Sequence, residues 1–389
     1  MNKTFSSLLL LTVLLLSACT SSPQKSSANY VVDLEERKKI TLPIDERTYY
    51  LSRSIFQFEE EGREYLHFEN TELGQYDIVI FDLAKQSEHK RISLSKDGPN
   101  EVIGLIGSRT YNDSTIYLFE HSIGRTSVMN GEGKVTNRYQ VQGADGVYLQ
   151  NIVSSYFHMP SFIKDSVIYV SQNLSKRNIK KEEWKNIPIF ASLNMKDSTI
   201  EMVPLFYPSI IDKDVDNPAG GYEFSYDYNY KDRRLICSFQ GYDSLMVSDD
   251  LKTVKWYDGR SRYLQSMRPS IPEASNGIRA LVELKERAKY SHIMYDKYRD
   301  VYYRFVEHTH ELLPDESPYG YAKSREFSII VFNNQFEIIG ETKFPGNKYF
   351  YNMSFIGKDG LYISENNGKN PEFDENKLVF ACFGLKDLE

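Results

Sequence analysis

The sequence predicts an all-β chain: a six-bladed β-propeller closed by pairing an N-terminal strand into the last blade, with short helical insertions. Three observations carry this. Aromatic residues are 14% of 389, with 29 Tyr and 22 Phe, set in short runs between polar Asn, Asp and Gly turns, as half-buried strands require. A strand of one type recurs six times, at 64–68, 114–119, 166–170, 234–239, 301–305 and 360–364. Its apolar anchors Leu66, Ile116, Ile168, Leu235, Val301 and Leu361 are 50, 52, 67, 66 and 60 residues apart. Spacings of that size, with four strands in each, belong to propeller blades rather than solenoid turns. Finally, a strand is spare at the start of the fold and one is missing at its end.

In chain order, the first element is an address. Lys3 supplies a positive n-region and Leu8 to Leu16 an apolar stretch too short for a permanent bilayer span. It ends in Leu16-Ser17-Ala18-Cys19, which resembles the bacterial lipobox. That resemblance implies a signal peptide over 1–18, acylation of Cys19 and a membrane anchor through it. Residues 19–29 then form a flexible tether, and 30–389 a single propeller domain. Thr20 instead of Asp after the Cys favours the outer membrane. No acidic residues follow, which tilts the expectation towards the periplasm-facing leaflet rather than surface exposure. An ordinary secretory cleavage after Ala18 is the alternative.

The formal charge is −7, or −8 without the signal and its Lys3. A mildly acidic body without a basic stripe argues against nucleic acid as a partner. Cys237 and Cys382 fall in apolar runs of different repeats, and two buried thiols suit them better than a disulfide.

Arg37 to Pro43 is the spare strand, and 377–383 ends the last repeat one strand short. Pairing them closes a ring and removes two open sheet edges. Hairpins complete each repeat, at 78–94, 126–141, 189–203, 244–256 and 328–344. In the last, Ile329 to Phe332 is continuously apolar and an Asn333-Asn334 turn follows. Phe336, Ile338, Thr342 and Phe344 then share one face, with Glu337, Glu341 and Lys343 on the other. The long connections are 95–104, 173–187, 204–222, 258–290 and 308–325. In an up-and-down blade all of these emerge at one end of the ring, where a rigid scaffold presents binding residues. Residues 258–290 contain a helix, capped by Ser275 or Asn276, with Ile278, Leu281, Val282 and Lys285 at helical spacing. Residues 173–187 form a short helix or a charged loop.

Three constellations are candidates for chemistry. Asp212, Asp214, Asp216 and Glu223 match positions one, three, five and twelve of a calcium loop, with Asn217 where a Gly is normal; a solvated acidic loop is the alternative. Calcium is the one cofactor the chain suggests. His308 and His310 would share a face, as a metal grip needs, if their strand continues; otherwise they are loop histidines beside Glu311. Asp97, Asn100 and Glu101 flank a Gly98-Pro99 turn, a ligand contact or a corner between blades. Tyr319, Tyr321 and Arg325 complete the expected ligand face. The Tyr-rich run 222–230 would stack sugars, or serve as an inner strand. No G-x-S-x-G elbow, H-E-x-x-H or phosphate-binding glycine loop is present.

The Gly-Pro-x-Glu turn at 98–101, with Tyr295 to Phe305 and Gly360 to Asn367, resembles Bacteroidetes-type cell-envelope lipoproteins of the six-bladed, TolB-like propeller group. The resemblance spans the chain after the tether and points to one of that group's families of unknown function, so it implies fold and location and no catalytic residue. The expected function is non-catalytic binding of a partner protein or an envelope polymer such as a polysaccharide through the long-loop face. A carbohydrate-active hydrolase or lyase on the same scaffold is the alternative, and it would show two carboxyl groups at the channel mouth, one with a raised pKa.

Overall fold

The computed structural model describes residues 28–71, 76–112, 114–120, 124–140, 152–153, 158–172, 186–208, 224–264, 267, 277–318 and 320–388. The expected signal and most of the expected tether, Cys19, the Asp212/Asp214/Asp216/Glu223 loop, Tyr319 and nearly all of 173–187 lie outside them. The described chain is all-β but for one short helix, in a propeller-like arrangement of five hydrogen-bonded sheets.

Strand β1 (Val32–Pro43) comes first in the chain. The first sheet is β2 (Ile55–Glu60), β3 (Arg63–Asn70), β4 (Asp77–Asp82) and β5 (Ser87–Ser93). The second is β6 (Leu105–Asn112), β7 (Thr115–Glu120), β8 (Arg125–Met129) and β9 (Val135–Gln140). The third holds β10 (Ile152–Val153), β11 (Phe162–Lys164), β12 (Val167–Gln172), β13 (Pro188–Asn194) and β14 (Ile200–Phe206). The fourth is β15 (Phe224–Asn229), β16 (Arg234–Phe239), β17 (Ser244–Ser248) and β18 (Lys255–Asp258). Helix α1 (Ile278–Glu286) precedes the fifth sheet, which has eight strands. These are β19 (Lys289–Asp296), β20 (Val301–Glu307), β21 (Phe327–Phe332) and β22 (Ile338–Phe344), then β1, then β25 (Lys377–Asp387), β24 (Gly360–Ser364) and β23 (Phe350–Gly357).

The six recurrent runs are strands β3, β7, β12, β16, β20 and β24, each hydrogen-bonded on both sides within its sheet. Their nearly unbroken apolar character has a simple cause. Successive side chains of a strand point to opposite faces, and here both faces are covered. Ile116 and Leu118 pack with Phe58 and Ile80 of the first sheet, whereas Tyr117 and Phe119 pack with Ile168 and Val170 of the third. Tyr302 and Val306 pack with Ile236 and Val247, whereas Tyr303 and Phe305 pack with Leu361 and Phe383. Among the described residues the buried apolar side chains form six clusters, each lying between neighbouring sheets or between the halves of the large one. Fully burying one Leu, Ile or Phe contributes about 1.5–3 kcal/mol, so these seams, rather than the ladders alone, hold the sheets together.

Strand β1 runs antiparallel to β25, with Ile40 opposite Phe380 and pairing from Val32 to Pro43. Its start also touches β22 through a parallel pair, Val32 with Gly340. Leu34 N–H donates to Thr342 Oγ1 at 2.8 Å. A β-carbon at position 340 would sit 2.3 Å from the Val32 carbonyl oxygen, so only glycine permits this approach. Turns between first and second strands are tight. Glu61 and Gly62 take φ of 49° and 77°, and Asp165 and Ser166 take 52° and 64°, the left-handed pairs that match strand twist in a two-residue hairpin.

Several details depart from the sequence expectation. In the 328–344 hairpin, Phe336 lies in the turn with φ 63°, and β21 and β22 shift register between Val331 and Phe332. Glu341 is buried, not solvent-facing. It accepts from Ser261 Oγ (2.5 Å), Ser328 Oγ (2.7 Å) and the Arg262 N–H (2.8 Å). The helix is capped by Gly277, without a side-chain cap bond, rather than by Ser275 or Asn276. Cys237 and Cys382, by contrast, agree with expectation: they are buried and free, in different sheets. Among the described residues no helix is long and apolar enough to cross a membrane.

Candidate functional site

Two regions compete for the functional role: the face carrying the long connections, and a cavity on the axis. On the long-loop face the connections hold one another. The His310 N–H donates to Glu286 O at the end of α1 (2.8 Å), and the Leu312 N–H to Glu286 Oε1 (3.1 Å). Asn367 Nδ2 donates to Lys323 O (2.9 Å) and Tyr349 O (3.0 Å). Lys369 pairs with Asp315 at 3.1 Å, and Tyr50 meets Phe373 edge-on at 4.9 Å. Connections from three parts of the chain thus form one surface.

The predicted residues of that face divide. Tyr321 is 49% exposed, edge-on to Phe350 at 4.8 Å, with Lys285 Nζ 5.9 Å over its ring. Glu311 is exposed. Strand β20 ends at Glu307, so His308 and His310 do not continue it, and they do not form a grip. His308 Nε2 meets Ser328 Oγ at 2.9 Å, and burial, then the Lys343 charge, lowers it to about 4. His310 instead meets Glu316 Oε2 at 2.7 Å. Burial pushes Glu316 up, but His310 and the N–H groups of Ser324 and Leu313 hold it down at about 2. Among the described residues no group of three or more His, Cys, Asp or Glu is placed to hold a metal ion.

Arg325 is buried rather than presented to a ligand, its Nη1 bonded to Glu307, while its Nε and Nη2 have no hydrogen-bond partner. Asn100 and Glu101 form a corner. Asn100 Oδ1 accepts from the Val135 N–H (3.1 Å), and Glu101 lies 3.4 Å from Arg125. Asp97 only closes its own turn with Ser95. Asp227 and its neighbours 224–229 form an inner strand, β15, as one of the two readings of the Tyr-rich run expects.

The second region is a cavity of about 220 Å³ on the axis, lined from β2, β6, the approach to β11, β15, β19 and β23. These are the strands that directly precede β3, β7, β12, β16, β20 and β24 in the chain. Tyr230, Lys231 and Lys297 take it to the surface at the short turns, the end opposite the long connections. Its inner charged groups are Arg109 and Asp227. Arg109 lies against Phe56 (4.9 Å) and Tyr111 (5.1 Å), and its Nη1 donates to Ser161 O at 2.6 Å. Asp227 accepts the Tyr228 and Tyr295 N–H groups, both at 2.8 Å, yet burial still raises its pKa. It is the one carboxylate among the lining residues. Lys231 pairs with Asp300, and Lys297 with Glu59 at 2.8 Å.

Sequence reasoning also missed a buried array between the first two sheets. His67 Nδ1 meets Thr110 Oγ1 (2.8 Å), its Nε2 meets Ser108 Oγ (3.0 Å), and Ser108 donates to Glu69. Burial raises Glu69 to about 7, and burial with the Arg109 charge lowers His67 to about 3. The residue types are those of a nucleophilic triad, but the roles are not. The serine proton goes to the carboxylate, so the imidazole is not its base, as nucleophilic catalysis requires. The alternation His67-Phe68-Glu69 opposite Ser108-Arg109-Thr110 was the available signal.

Residues 32–343 match the family model described as a domain of unknown function, DUF4221. A crystal structure of a member of that family from Bacteroides vulgatus is 52% identical, covers 92% of this chain and all of its own, and superposes with a TM-score of 0.88. A putative exported protein from Bacteroides fragilis is 11% identical over 92% of this chain and 96% of its own, with a TM-score of 0.51, a likeness of fold alone. No functionally curated protein matches. With most of its length inside that model and a half-identical structural relative, the chain belongs to the DUF4221 family.

Proposed function

We propose that the protein is a six-bladed, lipid-anchored propeller of the cell envelope that binds a partner protein or an envelope polymer through its long-loop face, without catalysis. Splitting the large sheet at its Val32–Gly340 bridge leaves two four-stranded blades, which with the other sheets number six, and the six seam clusters favour that count. The β1–β25 pairing supplies the closing strand. Lys3, Leu8 to Leu16 and the Leu16-Ser17-Ala18-Cys19 run support the anchor and an outer-membrane, periplasm-facing address.

The observation that carries the binding role is the bracing of 308–326, 365–376 and α1 into one surface, with Tyr321 exposed on it. The hydrolase alternative needs two carboxyl groups meeting at the channel, and Asp227 stands alone among the cavity-lining residues. The test is site-specific photocrosslinking in the anchored protein. A photoreactive residue at Tyr321 should give discrete adducts, and one at Tyr230 on the other end should not. Cys19→Ala should release the protein from the membrane fraction. Equal labelling from both ends would overturn the assigned face, and membrane retention of Cys19→Ala the anchor.

A further inference from the structure

A separate site follows from the axial cavity, independent of the long-loop surface. Its walls are mostly apolar, with Phe56, Met294, Phe355 and Ile356 facing it, and one cation is set deep among them. Arg109 makes no contact ion pair with any described residue; its one hydrogen bond among them uses Nη1, towards Ser161 O. A guanidinium has five N–H donors in a planar fork, and two flanking rings hold this one in orientation without neutralising it. The nearby carboxylate of Asp227 accepts two backbone N–H groups and attracts Arg109 without a contact ion pair. The lysines at the mouth are held by Asp300 and Glu59.

We infer that this cavity binds a small organic carboxylate, its two oxygens on the free fork of Arg109 and its apolar body against Met294, Phe355 and Ile356. Size and charge select that class. At about 220 Å³ the cavity falls below the roughly 300–1,000 Å³ of pockets for drug-sized ligands, which excludes a polymer chain. One cation outside any contact ion pair suits a monoanion better than a phosphate dianion, and a planar carboxylate matches the fork in a bidentate way. The apolar walls ask for a ring or short alkyl group rather than a sugar.

Saturation-transfer NMR and calorimetry on the purified full-length chain test this with three probes: phenylacetate, its neutral amide and inorganic phosphate. Phenylacetate should bind one to one, the amide about tenfold or more weaker, as loss of a charge-assisted bond implies. Arg109→Met should lose phenylacetate by a similar factor with an unchanged circular dichroism spectrum. Met294→Trp, which fills the cavity and leaves the charge in place, should lose it too and decides the matter if Arg109→Met does not fold. No phenylacetate binding at millimolar concentration, equal binding of the amide, or retained binding in the folded variant would overturn the proposal. Phosphate binding that depends on Arg109 and exceeds that of phenylacetate would overturn the carboxylate class.

Discussion

The seam between the fourth and fifth sheets and the axial cavity each hold an arginine against aromatic rings, and they treat it in opposite ways. Arg304, on β20, is fully buried with its guanidinium 3.4 Å over Tyr290. Its Nε donates to Ser238 Oγ (2.8 Å), Nη1 to Asp243 O (2.6 Å) and Gly259 O (2.9 Å), and Nη2 to Tyr242 O (2.6 Å). Burial pulls its pKa down to about 10, still far above neutral pH. Arg109, on β6, has two ring faces and one carbonyl. A saturated cation is a staple, because most of its donors satisfy acceptors that would otherwise be orphaned. An unsaturated one beside a cavity stabilises little and remains free to bind.

The contrast is broken most severely at Arg304. Replacing it by Met leaves the Tyr242 and Gly259 carbonyls and the Ser238 hydroxyl without that donor inside a packed seam, while Asp243 O keeps the Gly259 N–H. Each orphaned buried acceptor costs about 1–3 kcal/mol, and breaking a buried charged contact typically costs about 3–5 kcal/mol in all. Urea denaturation of Arg304→Met should therefore show a loss of about 3–5 kcal/mol. A loss below about 1 kcal/mol would show that the staple is decorative.

A buried acid sharpens the comparison at intermediate size. Glu69 sits beside His67 and Ser108 with its folded pKa raised by burial from 4.5 to about 7. Between those values the folded state binds the extra proton, so this group's contribution to stability falls as pH rises through the window. The full swing is at most about 3 kcal/mol, from 1.36 kcal/mol per pKa unit. In Glu69→Gln that decline should vanish, leaving the variant the more stable form at pH 8 and not at pH 4. Parallel pH profiles of melting temperature for the two proteins would remove the raised pKa.

What was legible in the sequence follows from the range of each interaction. The second strands are buried on both faces by local rule, so Leu66, Ile116 and their counterparts announce themselves as apolar runs. The β1–β25 pairing was legible because an odd count of strands at each end has one economical solution. Glu341 was misjudged because alternation assigns a polar residue to solvent, whereas here Ser261 and Ser328 supply it with buried donors. His308 and His310 were paired by spacing alone, but the strand stops at Glu307, so each found a different partner. Arg109 carried no local signal at all. The cavity takes Phe56, Arg109, Asp227, Met294 and Phe355 from strands hundreds of residues apart, and only the ring brings them together.

The smallest expected effect is the most pointed test of the contrast. Arg109→Met removes the bond to Ser161 O, but that carbonyl still accepts from Tyr111 Oη–H at 3.1 Å, so no acceptor is orphaned. The thioether chain retains contact with Phe56 and Tyr111, and a charge without a contact ion pair disappears from a desolvated site, offset by its lost attraction to Asp227. His67, whose pKa the Arg109 charge helps to lower, should also shift upward. Stability by urea denaturation should change by less than about 1 kcal/mol in either direction, set against the several lost at Arg304. A loss as large as that of Arg304→Met would mean that Arg109 holds the inner strands together, and the cavity would then be a structural joint rather than a place to bind.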